Sequence, residues 1–186
     1  MKKAAIILTT FLSAYSYGQT DSTCNYQVNE VDEFTGTSKL VSTISMYIEH
    51  TDSTLLKYYK NKNNSYFELE TYCAKINDLR VLYFSIRIDS EDAYKYFGSI
   101  STDAKCIFKF KDAKTLTLNF AKYDVGDLNY SGGYTTYNPY LIISDEEYAV
   151  LKTKQVDKLR IYWSKGYEDY EVDFPEVLIK QMNCIK

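Results

Sequence analysis

The chain has 186 residues, room for one domain of ordinary size, and sets 22 basic side chains against 25 acidic ones. With that mildly acidic balance and no run of Lys or Arg, it gains little from phosphate backbones, which argues against nucleic acid as a partner. Seven Gly and two Pro stand beside twenty Tyr and nine Phe, which excludes a disordered or linker-rich chain and supplies ample area for a core.

Lys2 and Lys3 precede an apolar run from Ala4 to Leu12, and small residues Ser16 and Gly18 flank Tyr17. This order of charge, apolar stretch and small-x-small site predicts a secretory signal peptide over 1–18, with Gln19 opening the mature chain. The run is too short to cross a bilayer, which takes about 20 residues. Cys24 follows Asp21, Ser22 and Thr23, and a charge at that place does not suit a lipoprotein signal. The expectation is an exported protein, periplasmic or extracellular, with one domain over 19–186 and no transmembrane segment in the mature chain. Losing Lys2 and Lys3 would leave 20 basic residues against 25 acidic ones.

Past the signal, Tyr26 and Val28 read as extended, and Phe34-Thr35-Gly36-Thr37 reads as a turn with Gly36 as its permissive position. Asp32 and Glu33 are neighbours, so an extended backbone sends them to opposite sides and they cannot pair. The acidic stretch Asn29–Gly36 is therefore expected to be a hairpin rim, with Glu30 and Asp32 as an alternative cation site. Leu40, Ser42, Ile44, Met46 and Ile48 form one face of the next strand. His50 sits close to Asp52 and Ser53, but neighbours in a tight turn rarely reach triad geometry, so it reads as a loop histidine.

Phe67, Leu69 and Cys73 share one parity. Leu82, Phe84, Ile86 and Ile88 alternate with Val81, Tyr83, Ser85 and Arg87, and Cys106, Phe108 and Phe110 with Lys105, Ile107 and Lys109. Leu116, Leu118 and Phe120 follow across a short connection. One apolar face and one wet face mark antiparallel strands packed on a core.

The connection Ala121–Tyr140 is long for a compact domain, and such loops are functional or disordered more often than not. Tyr, Ser, Gly and Asn dominate it, the composition of adaptable binding loops. Tyr130, Tyr134 and Tyr137 are its candidate ligand-binding residues, with a lid folded over the sheet as the alternative. Asp124, Asp127 and Asn129 offer oxygens to Ca²⁺, but the EF-hand spacing is absent, so no metal or cofactor is expected.

Ser144 with Glu147 forms a capping box, and Ile143 with Tyr148 a hydrophobic staple, for a helix from Asp145 to about Lys152. Leu159, Ile161 and Trp163, then Tyr170, Val172 and Phe174, read as two further strands. Pro175 opens a second helix with Leu178, Met182 and Ile185 on one stripe. The predicted fold is a single α+β domain, mainly antiparallel β, arranged as a sandwich or partly closed barrel with two short helices packed on the sheet.

Four cysteines, Cys24, Cys73, Cys106 and Cys184, all lie beyond the signal and fit two disulfides. Cys73 and Cys106 share parity with core residues, and Cys24 and Cys184 bound the mature fold. The expected bonds are Cys73–Cys106 and Cys24–Cys184, with the other pairings open.

The Asp-Glu-Phe-Thr-Gly segment at Asp32–Gly36, together with Cys106–Phe120, Tyr140–Leu151 and Lys158–Ile161, resembles the pattern of a family of exported, uncharacterised bacterial proteins. The resemblance implies a small β-rich exported domain and carries no catalytic residues. No connected catalytic set occurs elsewhere, so the expected function is a non-catalytic module binding a protein or carbohydrate through the Tyr-rich loop. A carboxylate-dependent hydrolase using Glu171 and Asp173 is the alternative, since one strand step gives a glycosidase-like separation. A structural or assembly component of the periplasm is a third.

Overall fold

The computed structural model describes residues 24–59 and 64–186; the expected signal peptide, 1–18, lies outside them. The chain first lays down β1 (Tyr26–Val31), β2 (Ser38–Ser42), β3 (Ser45–His50), β4 (Phe67–Ile76) and β5 (Leu79–Ile88). Next come β6 (Lys105–Phe110), β7 (Thr115–Asn119), β8 (Asp127–Asn129), β9 (Tyr134–Tyr137) and β10 (Tyr140–Ile143). β11 (Val156–Trp163) and β12 (Gly166–Glu171) complete the strands. Two single-turn helices, α1 (Leu56–Tyr59) and α2 (Ala93–Tyr96), join the two that the sequence anticipates, α3 (Asp145–Leu151) and α4 (Pro175–Cys184).

The strands form two antiparallel sheets. In the large one, the hairpin of the ten-residue strands β4 and β5 is the axis, and each of its edges carries two short strands in tandem. β3 covers Phe67–Thr71 of β4 while β2 covers Ala74–Ile76. β9 covers Ile86–Ile88 of β5 while β10 covers Arg80–Tyr83. β1 and β8 extend the two edges. The small sheet runs β12-β11-β6-β7.

This tandem arrangement corrects the single strand expected over Leu40–Ile48. The chain leaves β4 after β2 and rejoins it as β3, exposing Ile44 between them. A register shift between Met46 and Ile48 then sends both Tyr47 and Ile48 into the core. Adjacent residues on one side break the period of two, so alternation alone could not place them.

The sheets meet at two corners without closing into a barrel. Phe120 bridges to Leu141, and Ala121 N–H donates to Tyr140 O at 2.9 Å. Across the molecule, Phe174 N–H donates to Tyr47 O, and Glu49 N–H donates to Asp173 Oδ2 at 2.7 Å. Between the sheets lie Phe67, Phe84, Ile86, Phe108, Phe110, Leu159 and Ile161, with Leu151 from α3 and Leu178 and Met182 from α4. Burial of each such side chain contributes about 1.5–3 kcal/mol.

α3 starts where its cap dictates. Ser144 Oγ accepts from Glu147 N–H, and Glu147 Oε2 accepts from Ser144 N–H at 2.7 Å, the reciprocal box the sequence anticipates. α4 begins at Pro175 and is anchored by the buried Gln181. Gln181 Oε1 accepts from Thr71 Oγ1, and Nε2 donates to Thr71 O and Thr43 O.

Cys24 and Cys184 form the expected disulfide, with Cα atoms 5.5 Å apart and a sequence separation of 160. Cys73 and Cys106 do not: both are free, buried thiols. Both face the core, but Cys73 belongs to the large sheet and Cys106 to the small one. Each thiol packs among apolar core side chains from its own sheet. Sharing a core is not sharing a bond. Burial pushes both thiols up, and likewise the Tyr47 hydroxyl, which feels both of them nearby.

Candidate functional site

In β4 and β5 the core takes Phe67, Leu69, Thr71 and Cys73 and their partners Ile88, Ile86, Phe84 and Leu82. The opposite parity, facing away from the small sheet, pairs Glu68 with Arg87, Glu70 with Ser85, Tyr72 with Tyr83 and Ala74 with Val81. β10 sets Tyr140 beside Tyr83 and Ile142 beside Val81, and β2 sets Val41 beside Ala74. Two non-polar rows result: Val41, Ala74, Val81 and Ile142, then Tyr72, Tyr83 and Tyr140. An open antiparallel face is ordinarily polar, so the uncharged middle of this one marks it out.

The rings of Tyr72 and Tyr83 stack at 4.6 Å with planes 4° apart, and Tyr140 lies 5.5 Å from Tyr83. Their mutual packing desolvates Tyr72 and Tyr83 and pushes both hydroxyls above the usual tyrosine range. Ile142 stays 49% exposed, and Leu79, at the end of the same face, 46%. Beyond the tyrosines the face turns polar. Arg87 reaches Glu68 at 3.2 Å and Asp89 at 3.5 Å, and its guanidinium lies 4.4 Å from the centre of the Tyr134 ring. The face thus passes from a mostly buried apolar row, through half-buried tyrosines, to a charged margin.

The three tyrosines expected to bind together occupy different surroundings. Tyr130, at the tip of the β8–β9 hairpin, is 79% exposed. Tyr134 is half-buried beneath Arg87, and its hydroxyl accepts from Asn129 Nδ2 at 2.9 Å. Tyr137 is wholly buried: its hydroxyl donates to Gly98 O at 3.0 Å, and its ring meets Trp163 edge-on. Much of the long connection is thus a folded hairpin on the edge of β5. Of the aromatic face, Tyr140 came from the connection the sequence flagged. Tyr72 and Tyr83 were missed because they sit at polar-face positions; Val81 beside Tyr83 was the signal that this face is not polar.

Other candidates are held in structural roles. Asp124 accepts from Gly126 N–H at 2.8 Å and Asn138 N–H at 2.7 Å, and Asn129 Oδ1 from Gly132 N–H, so these oxygens close turns. Among the described residues no group of three or more His, Cys, Asp or Glu side chains could hold a metal. Glu171 pairs with Lys158 at 3.0 Å while Asp173 caps Glu49 N–H, so the two acids proposed for hydrolysis are engaged separately. His50 is exposed beside the edge of Tyr170, and Asp52 accepts from both the amide and the hydroxyl of Thr54. Asp32 accepts from the amides of Phe34 and Thr35, which hold its carboxyl below the usual range; the acidic stretch is a turn. No family model, no curated protein and no solved structure matches the chain.

Proposed function

We propose that this chain is an exported, non-catalytic binding module that docks a protein partner on the tyrosine face of its large sheet. The observation that carries this reading is the pair of non-polar rows, Val41–Ala74–Val81–Ile142 and Tyr72–Tyr83–Tyr140, in which Val41, Ala74 and Val81 are buried, the tyrosines half-buried and Ile142 49% exposed. A protein suits it better than a sugar. Sugars stack on open ring faces, and Tyr72 and Tyr83 each turn one face to the other at 4.6 Å, with Tyr140 packed 5.5 Å from Tyr83. Apolar area ringed by charge matches the core and rim of a protein interface. Export is supported by the sequence of the first 18 residues, by the resemblance to exported β-rich proteins and by the Cys24–Cys184 bond, since disulfides persist in oxidising compartments.

The test is cross-linking and co-purification from the envelope and secreted fractions of the native host. Wild type and Tyr130→Ala should retain one common partner, and Ile142→Glu should lose it. Equal recovery with Ile142→Glu would move the site elsewhere. Loss with Tyr130→Ala alone would return it to the hairpin tip.

A further inference from the structure

The solvent face of the small sheet carries a groove of about 480 Å³, remote in the fold from the tyrosine face. Register builds it from two cross-strand rows. One runs Thr115, Lys109, Lys158 and Glu171, the other Thr117, Ile107, Arg160 and Asp169. Each row therefore passes from a hydroxyl on β7, across the strands β6 and β11, to a carboxylate on β12. Lys109, Lys158 and Arg160 line the groove with Asp169 as the one acid among its walls, while Glu171 stands at its margin. The local balance is positive in a chain that is acidic as a whole.

The cations are not equivalent. Arg160 is held from two sides: Nε and Nη2 donate to Asp169 at 2.6 and 2.7 Å, and the guanidinium lies 4.0 Å from the centre of the Tyr167 ring. A guanidinium so fixed loses little freedom when its remaining N–H groups meet an anion. Lys158 is already paired with Glu171. Lys109 has no ion-pair partner among the described residues, and the hydroxyls of Thr115 and Thr117 have no hydrogen-bond partner there.

We infer that this groove binds a carboxylate-bearing saccharide of the uronic-acid type. Lys109 supplies the charge that a carboxylate needs and Arg160 the N–H groups that Asp169 leaves free, and charge-assisted bonds are the strong ones. The Thr115 and Thr117 hydroxyls, with the acceptor capacity left on Asp169, match the donors and acceptors of ring hydroxyls. Ile107 on the floor suits the C–H face of a sugar ring. Three cations against Asp169 and Glu171 leave one net positive charge, which matches a single carboxylate and opposes a polyphosphate of higher charge. This site is independent of the tyrosine face, so either can fail alone.

The experiment is titration of the mature protein with galacturonate oligomers, with neutral dextrin oligomers of equal length, and with poly-Glu of equal charge, at low and physiological salt. The galacturonate oligomer should bind, weaken as salt rises, and weaken at least about tenfold with Lys109→Glu, the scale of a charge-assisted hydrogen bond. The melting temperature of that exposed-site variant should be unchanged, and Ile142→Glu should bind the oligomer as wild type does. Absence of binding, equal binding of the neutral dextrin, or an unaffected Lys109→Glu would overturn the proposal. Equal or tighter binding of poly-Glu would overturn its saccharide assignment.

Discussion

Replacing Cys184 by Ser cuts the one covalent tie between the first and last described elements. The disulfide closes a loop of 160 residues, and chain-entropy reasoning assigns such a closure about 5 kcal/mol at 25 °C. Removal of a native disulfide from a small domain typically costs about 2–5 kcal/mol, and the long loop puts the expected loss at about 3–5 kcal/mol. The contact network around the bond does not vanish with it. Tyr26 Oη still donates to the Cys184 carbonyl, and Met182 and Ile185 stay buried. At about 2–4 °C per kcal/mol for a domain of this size, the melting temperature should fall by roughly 6–20 °C. Trp163, the single tryptophan and a buried one, reports the transition by fluorescence. Thiol counting runs in parallel: denatured, unreduced protein should alkylate at two sulfurs, Cys73 and Cys106, and reduced protein at four. A variant that melts within a degree of wild type would refute the tethering argument, and four alkylated sulfurs without reductant would refute the bond.

Gln181→Ala should cost about 2–3 kcal/mol in urea unfolding, because it strands Thr71 Oγ1 and two carbonyls in the interior; a midpoint unchanged from wild type would contradict this. In alkali, the stability held by tyrosines whose folded pKa is raised is complete below the unfolded value near pH 10 and drains away above it. Burial does this to Tyr47 and Tyr170 and lifts Tyr137 to about 12, so their phenolate absorbance should emerge together with loss of the near-ultraviolet circular dichroism signal. At the acid end, the Arg160 guanidinium holds Asp169 below its ordinary value of 3.8. Its contribution is present above that pH and lost as pH falls through the lowered value, so Asp169→Asn should flatten the stability curve there, by a small margin because the pair is largely solvated. In the folded protein, Cys73 and Cys106 should resist a thiol reagent for as long as the domain stays closed; prompt labelling would place them at the surface.

Much of this molecule follows from local chemistry. Alternation over Leu82–Ile88 and Cys106–Phe110 determined which side chains enter the core, because a strand's period of two leaves no third choice. Ser144 with Glu147 and Pro175 determined where α3 and α4 begin, since both signals act within one helical turn. Even Asp32, in the acidic stretch, was readable as part of a turn from its neighbours alone. The tertiary structure decided what depends on partners far along the chain. Whether Leu40–Ile48 is one strand or two depended on which half of β4 each piece found. Cys73 and Cys106 obeyed the correct parity yet ended on different sheets, a separation that no parity records. The tyrosine face was hidden for the same reason: Tyr72, Tyr83 and Tyr140 each sit singly in sequence, and only register across three strands stacks them in one row.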